Sequence, residues 1–581
     1  MLRSARESAP QRREEAGISY HPTAEPGGHH EPFHVTSGTP DRFADVDLLG
    51  DVMATMRDGV QLGADVYVPR GAGPAPAIII RHPYGRRTPE MGMAELGSFF
   101  ARKGYACVVQ DVRGKFSSGG VFDPGVGEIE DGYDTVEWVA TSSWCNGRVG
   151  LWGESYYGFT SLAAAISGHP AVHGIAPGDI GTDWRNVWYR GGALQLNTAG
   201  YWAIAMDDAA YADLTRLDAW YLPLIGMAEA AGGTGAYFRA TIERASDDAW
   251  WRERSLRHRL ADVRVPLLTW SGWYDNFMGE QLHDRDLILA THPAPETVHL
   301  LVGPWDHEGS GEHTDHAVCV PVPPTAAHRW DAYQAFFDRY VLQAADAAPV
   351  PAVEVFTIGA GWQQLEAWPP PAATPTLYHL RAGGLLSPAP PTDAEAPDTY
   401  AYDPADPVVE TVGGNCWELC EALGDRRELE RRADVLTYTT PPLTDDLELT
   451  GPVTAVLYAA TSAADTDFTL ALVDVFEDGT ANQIQDGIVR ARFRHGMSAP
   501  APVTPGEVVR YELDLFATSY LVRRGHRLRV DVSSSCFDRY DRNPNADGPY
   551  GHAAEPVVAQ QAIHHSAAHP SHVVLPVVAV R

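Results

Sequence analysis

The stretch Val149-Gly150-Leu151-Trp152-Gly153-Glu154-Ser155-Tyr156-Tyr157-Gly158, continuing into Phe159-Thr160-Ser161-Leu162-Ala163-Ala164-Ala165, decides how this chain is read. An apolar run ends at a glycine, a serine stands at the apex, and a run of small residues follows. That pattern predicts a strand, a tight turn and a helix, the setting in which a Gly-x-Ser-x-Gly-like string is a nucleophile elbow. The serine sits in a strained turn, and a side chain at either flanking glycine would collide with neighbouring backbone. The turn aims Oγ of Ser155 away from the sheet and leaves the backbone N–H of Tyr156 facing a developing oxyanion. The second glycine stands three residues after the serine, not two. The plain alternative is a Gly-rich strand–helix junction carrying a solvated serine.

Outward from the elbow the same grammar repeats. Asp51–Met56 and Val60–Tyr67 alternate around Asp58-Gly59 and predict a hairpin. Ala77–Ile80 and Tyr105–Val109 are short continuous apolar runs, the mark of strands buried on both faces of a parallel sheet. Helical spacing over Met91–Lys103 and Gly132–Ala140, with strands at Val149–Trp152 and Val172–Ala176, completes a β-α-β series: an α/β sheet with helices on both faces. From about Asp183 to Asp262 the sheet pattern stops and aromatics and alanines predict several helices, an insertion or cap. Strands resume at Val265–Trp270 and Val298–Val302, and a helix over Ala326–Leu342 closes the unit. Trp368-Pro369-Pro370-Pro371 marks a boundary, beyond which short strands separated by Pro- and Asp-rich loops predict an all-β sandwich.

The bulk numbers are consistent with a multidomain globular protein. At 581 residues two or three domains are expected, and 44% hydrophobic residues exclude wholesale disorder. A formal charge of −32, from 76 acidic and 44 basic residues, argues against nucleic-acid binding, which needs a basic stripe. Six sparse cysteines do not make a disulfide framework, and the loose Cys416/Cys420 spacing lacks the second pair a zinc site needs. Residues 1–42 are polar and read as a flexible arm, whose His29, His30 and His34 are read as tail histidines rather than ligands. Met1–Gly17 has no apolar core for a secretory signal and no stretch is long enough for a membrane span, so a cytoplasmic protein is expected.

A serine hydroxyl needs a neutral imidazole to take its proton and a carboxylate to hold that imidazole. In this fold class the chain order is Ser, acid, His, each on a loop at the carboxyl end of a strand. After Val265–Trp270 comes Ser271-Gly272-Trp273-Tyr274-Asp275-Asn276-Phe277, and after Val298–Val302 comes Gly303-Pro304-Trp305-Asp306-His307. Asp275 and His307 are therefore the expected acid and base. His307 competes with His283, His299, His313 and His316, and Asp275 with a helix-capping role. A second oxyanion donor is expected from Arg81-His82-Pro83-Tyr84-Gly85, where the phenol of Tyr84 offers one well-aimed hydrogen bond. Packing against the sheet edge is the alternative for Tyr84.

At these residues the chain resembles the cocaine esterase and X-prolyl dipeptidyl peptidase family of serine hydrolases, closest to its cocaine esterase branch. The carrying motifs are Met56-Arg57-Asp58-Gly59-Val60, His82-Pro83-Tyr84-Gly85, Gln110-Asp111-Val112-Arg113-Gly114, the Gly153–Gly158 elbow, Gly272-Trp273-Tyr274-Asp275 and Gly303-Pro304-Trp305-Asp306-His307. Asp465-Thr466-Asp467-Phe468, Gly525-His526-Arg527 and His569-Pro570-Ser571-His572 add to them near the C-terminus. The displaced elbow glycine is a trait of that family. The resemblance implies an α/β-hydrolase domain in two parts, 43–182 and 263–348, with a helical cap at 183–262 and a jelly-roll β-sandwich at 349–581. It implies Ser155, His307 and Asp275 as triad, Tyr84 and Tyr156 as oxyanion hole, and a substrate pocket lined by Trp188, Trp202 and Phe277. Trp417 is carried as a further pocket residue on a loop that diverges from the family. No cofactor and no metal are implied; a homodimer is.

The expected function is hydrolysis of carboxylic esters of bulky or aryl acyl groups through an acyl-enzyme. An amide or X-prolyl peptide hydrolase and an acyltransferase use the same triad and stay open. The related amino-acid ester hydrolases carry an acidic cluster after the catalytic acid, which Asn276-Phe277 does not supply. A ligand-binding protein with an idle triad is the reading from a different class.

Overall fold

The computed structural model describes residues 35, 37–207, 216–307, 325–409 and 425–579. Ten strands form one mixed sheet: β1 (Val46–Thr55), β2 (Gln61–Pro69), β3 (Ala75–His82), β4 (Ala106–Asp111), β5 (Cys145–Glu154), β6 (Val172–Gly178), β7 (Leu267–Gly272), β8 (Val298–Gly303), β9 (Val353–Thr357) and β10 (Gly361–Leu365). Their spatial order is β1-β2-β4-β3-β5-β6-β7-β8-β9-β10. The pairs from β4 through β9 run parallel, and β1, β2 and β10 add antiparallel edges. The two apolar runs read as doubly buried strands are so, every residue of β3 and β4 being buried, and every residue of β8 is buried as well. Helices α1 (Met93–Arg102), α2 (Glu128–Ala140), α3 (Ser155–Ile166), α4 (Met278–Thr291) and α5 (Ala326–Phe337) pack on this sheet. This is the expected α/β-hydrolase arrangement.

Between β6 and β7 the cap consists of short helices, among them Trp184–Trp188, Tyr201–Ala205, Ala236–Glu243 and Asp248–Arg254, with a two-residue ribbon at Tyr189–Arg190 and Ala193–Leu194. Its aromatics join the main core, where Trp184, Trp188, Trp202 and Trp251 are all buried. The C-terminal part is all-β. Eleven strands from Ala373–Arg381 to His572–Val578 pair non-sequentially, with His572–Val578 between Leu447–Thr461 and Ala373–Arg381. That crossing pattern fits the expected jelly-roll sandwich.

Two features differ from the reading of the sequence. The first sheet runs past residue 348, because Val353 to Val355 pair in parallel with Leu300 to Val302 and β10 follows by a hairpin. By strand pairing the change of sheet falls after Leu365, at the Trp368-Pro369 marker, rather than at 349. The end of the N-terminal arm is also tied down. Ser37 Oγ and the backbone N–H of Gly38 donate to Asp331 on α5 at 2.7 and 2.9 Å, and Arg42 forks onto Asp338. No helix of the described residues is long and apolar enough to cross a membrane.

Candidate active site

The elbow is built as its glycines require. Ser155 sits at φ +52°, a left-handed conformation that a β-carbon disfavours, at the first position of α3. A β-carbon on Gly153 would lie 2.3 Å from the carbonyl of Tyr157, and one on Gly158 would lie 2.9 Å from the oxygen of Gly178. The second glycine is thus needed at the third position after the serine, where α3 crosses the end of β6. The N-terminal turn of α3 brings the backbone N–H of Tyr156, with the positive end of a twelve-residue helix, beside Ser155.

Acid and base meet because two loops are zipped together. The N–H of Trp273 donates to Gly303 O and that of Tyr274 to Trp305 O, both at 3.0 Å, joining the loop after β7 to the loop after β8. The close approach demands glycine: a β-carbon on Gly272 would sit 2.0 Å from Trp305 O, and one on Gly303 would enter the Trp305 ring. At the end of this zipper Nδ1 of His307 bonds Oδ2 of Asp275 at 2.6 Å. Asp275 is fully buried, and its other oxygen accepts the N–H of Phe277 at 2.6 Å. Both oxygens are therefore fixed, and Nδ1 is the imidazole nitrogen that the acid holds, as it is in a Ser-His-Asp triad. Phe277 packs edge-on to His307 at 5.0 Å. The competing histidines stand elsewhere: His299 is spent on Pro351 O and the Tyr340 hydroxyl, and His283 is exposed on α4. His313 and His316 lie outside the described residues.

Tyr84 follows β3, the neighbour of β5, so the sheet order alone sets it beside the elbow. Its hydroxyl accepts the indole N–H of Trp202 at 3.1 Å. Its backbone N–H donates to Nδ1 of His82 at 3.2 Å, and burial depresses the His82 pKa from 6.5 to about 4. His82 is thus neutral and able to accept. Trp202 stacks on Tyr156 (5.7 Å) and meets Trp188 edge-on (5.7 Å), so these aromatics form one wall. Below it the Tyr156 phenol donates to Glu128 at 2.8 Å, and Glu128 is paired with Arg81 at 3.0 Å. The reading of Trp417, like that of Cys416 and Cys420, falls outside the described residues.

One buried group was missed from sequence. Asp179, directly after β6 and at φ +48°, is fully buried, with the Ser271 hydroxyl beside its carboxylate. Burial, followed by the charge of Asp275, pushes its pKa well above the carboxylate range. Burial beside a second carboxylate thus favours its protonated form. In sequence it is one more Gly-Asp turn, with no signal to set it apart.

Comparison with known proteins places this geometry. Residues 58–309 match the X-Pro dipeptidyl-peptidase (S15 family) and residues 345–574 match the X-Pro dipeptidyl-peptidase C-terminal non-catalytic domain. The chain is 36% identical to the cocaine esterase of Rhodococcus sp. (strain MB1 Bresler) over 572 residues, covering 91% of this chain and 98% of that one. Among solved structures, an α-amino acid ester hydrolase superposes with a TM-score of 0.83 at 29% identity, covering 96% of this chain and 100% of that one. An aminopeptidase from the marine sediment archaeon Thaumarchaeota archaeon gives a TM-score of 0.82 at 27% identity, with 94% and 99% covered.

Proposed function

We propose, from the fact that this chain belongs to the X-Pro dipeptidyl-peptidase (S15) family, that it is a serine carboxylic ester hydrolase with Ser155, His307 and Asp275 as its triad. The observation that carries the reading is the 2.6 Å bond from His307 to a buried Asp275, on loops at the same carboxyl edge of the sheet as the strained Ser155 elbow. Ser155 Oγ attacks the ester carbonyl carbon while Nε2 of His307 takes its proton. Negative charge gathers on the former carbonyl oxygen and is met by the Tyr84 hydroxyl and the Tyr156 N–H. The tetrahedral intermediate collapses, the C–O bond to the alcohol breaks, and His307 returns the proton to the leaving oxygen. Water then attacks the acyl-enzyme with His307 as base, releasing the carboxylic acid and restoring Ser155.

The acyl group is bulky or aromatic in this reading, in which Trp202 beside Tyr84 and Tyr156, Trp188 edge-on to Trp202, and Phe277 edge-on to His307 line its pocket. Burial of one ring stabilises such a complex by about 1.5–3 kcal/mol. Action in the cytoplasm and assembly as a homodimer belong to the same reading, and light scattering checks the second. Ser155→Ala is expected to abolish turnover of p-nitrophenyl benzoate; undiminished turnover would remove Ser155 from the mechanism. The family's peptidases and the aminopeptidase likeness favour one second reading, amide hydrolysis. Aminoacyl-proline anilides decide it: a kcat/KM above that for aryl esters would displace the esterase reading.

A further inference from the structure

Trp202 makes two kinds of contact at once. Its rings stack on Tyr156 and meet Trp184 and Trp188 edge-on, which is the behaviour of a pocket wall. Its indole N–H does something a wall does not need: it donates to the Tyr84 hydroxyl at 3.1 Å, across 118 residues of sequence and from the cap to the loop after β3. We propose that Trp202 is a positioning residue of the oxyanion hole, its N–H fixing the Tyr84 phenol so that the O–H is held toward the carbonyl on Ser155. The proposal rests on the reading of Ser155 and Tyr84 given above.

The argument is one of donors and acceptors. A phenol has one hydrogen to give and lone pairs to receive with, whereas indole N–H only donates. Receiving from Trp202 occupies a lone pair and fixes which way the single O–H can turn. Accepting one hydrogen bond also polarises the phenol and strengthens the bond it gives. The indole can serve as a fixed reference because its ring is held on several sides, and because its stacking partner Tyr156 is itself anchored through Glu128 to Arg81. The Tyr84 ring is set from its other side by stacking on His82 at 5.9 Å, and the loop is closed by Thr88 Oγ1 donating to Tyr84 O at 2.9 Å. The phenol of Tyr84 and the ring of Tyr156, from the two residues assigned to the oxyanion hole, thus both meet one cap side chain. A cap residue reaches the transition state through another residue, without touching the reacting atoms.

A double-mutant cycle on the full-length protein tests this, with Trp202→Phe, Tyr84→Phe and the pair. A second Trp202 variant carries benzothiophene in place of indole, which keeps the two-ring shape and loses only the N–H. Tyr84→Phe is expected to lower kcat by 10²–10³-fold, as loss of one oxyanion donor does. The benzothiophene variant is expected to lower kcat about 5- to 10-fold with KM within about twofold, and to weaken phenylboronic acid, which mimics the tetrahedral oxyanion, by a similar factor; Trp202→Phe, which also removes a ring of the wall, should lose at least as much kcat and raise KM. In the Tyr84→Phe background the benzothiophene change should add less than about twofold in kcat. Full additivity of that change, or a rise in KM with kcat unchanged, would overturn the proposal and leave Trp202 a wall. Undiminished activity in Tyr84→Phe would instead overturn the reading of Tyr84 on which it rests.

Discussion

His82 shows how far a single residue can set conditions for the site. It is fully buried at the end of β3 and accepts the N–H of Tyr84 through Nδ1, which it can do only while that nitrogen carries no proton. Its folded-state pKa of about 4 lies below the ordinary 6.5. Protonation therefore favours the unfolded chain: this stability is whole above pH 6.5 and is lost as pH falls toward 4, by roughly 3 kcal/mol in all. His82→Asn keeps an acceptor but does not titrate. Its unfolding free energy, measured in urea at pH 7 and pH 4, should fall by about 3 kcal/mol less than that of the parent chain; equal falls would show that His82 is not the group responsible. At this scale the sequence was legible where chemistry is tied to a local motif. Ser155, Asp275 and His307 each follow a strand, on a turn whose glycine could not carry a β-carbon. Asp179 and the Trp202–Tyr84 bond were illegible, since one depends on burial and the other on a contact between segments that no local pattern relates.

Elements position the chemistry through strand order and through glycines at crossing points. The loops after β7 and β8 lie in contact because Gly272 and Gly303 let the Trp305 backbone and ring pass. Gly272→Ala would place its methyl 2.0 Å from Trp305 O, where neither partner is the free end of a flexible side chain. The two loops must then part, and a displacement of about 1 Å at the acid is enough for a loss near 10²-fold in kcat/KM. Circular dichroism separates this from unfolding; full activity in the folded variant would show that the zipper does not set the triad. The strands of the first sheet were legible because residues buried on both faces form continuous Val/Ile/Leu runs between turn signals. The helix ends were less so: α2 begins at Glu128, four residues before the periodicity starts, because Gly127 at φ +80° opens it. The cap resisted detailed reading, as helices of five to eight residues hold too few turns for a period to emerge.

Over the whole molecule the sandwich acts as a brace for the acid loop. Trp273, two residues before Asp275, belongs to the second hydrophobic core together with sandwich residues such as Leu515 and Tyr520. Gln485 of the sandwich donates to Trp273 O at 2.8 Å, and Phe516 packs where a β-carbon on Gly279 would stand. The cap is held as well: Arg190 lies 3.1 Å over the Phe516 ring and donates to Asp486 O at 2.8 Å. A chain ending at Leu365 would expose Trp273, Tyr274 and Met278, all buried in the intact protein. Such a chain is expected to lose ester hydrolysis and to bind a hydrophobic dye, whereas full activity in it would mean the sandwich has no part in shaping the site. That dependence was not legible in the sequence, where the Trp368-Pro369 marker reads as a simple divider between independent units.

The central claim is that one hydroxyl, on Ser155, carries the acyl group between attack and release. It is tested most directly by mixing the enzyme with p-nitrophenyl benzoate, quenching in acid within milliseconds and mapping the adduct by peptide mass spectrometry. The account predicts a benzoyl group on Ser155 appearing with the first burst of p-nitrophenol and decaying as turnover proceeds. A burst with the benzoyl group on another residue, or steady turnover by the Ser155→Ala protein under the same conditions, would contradict it.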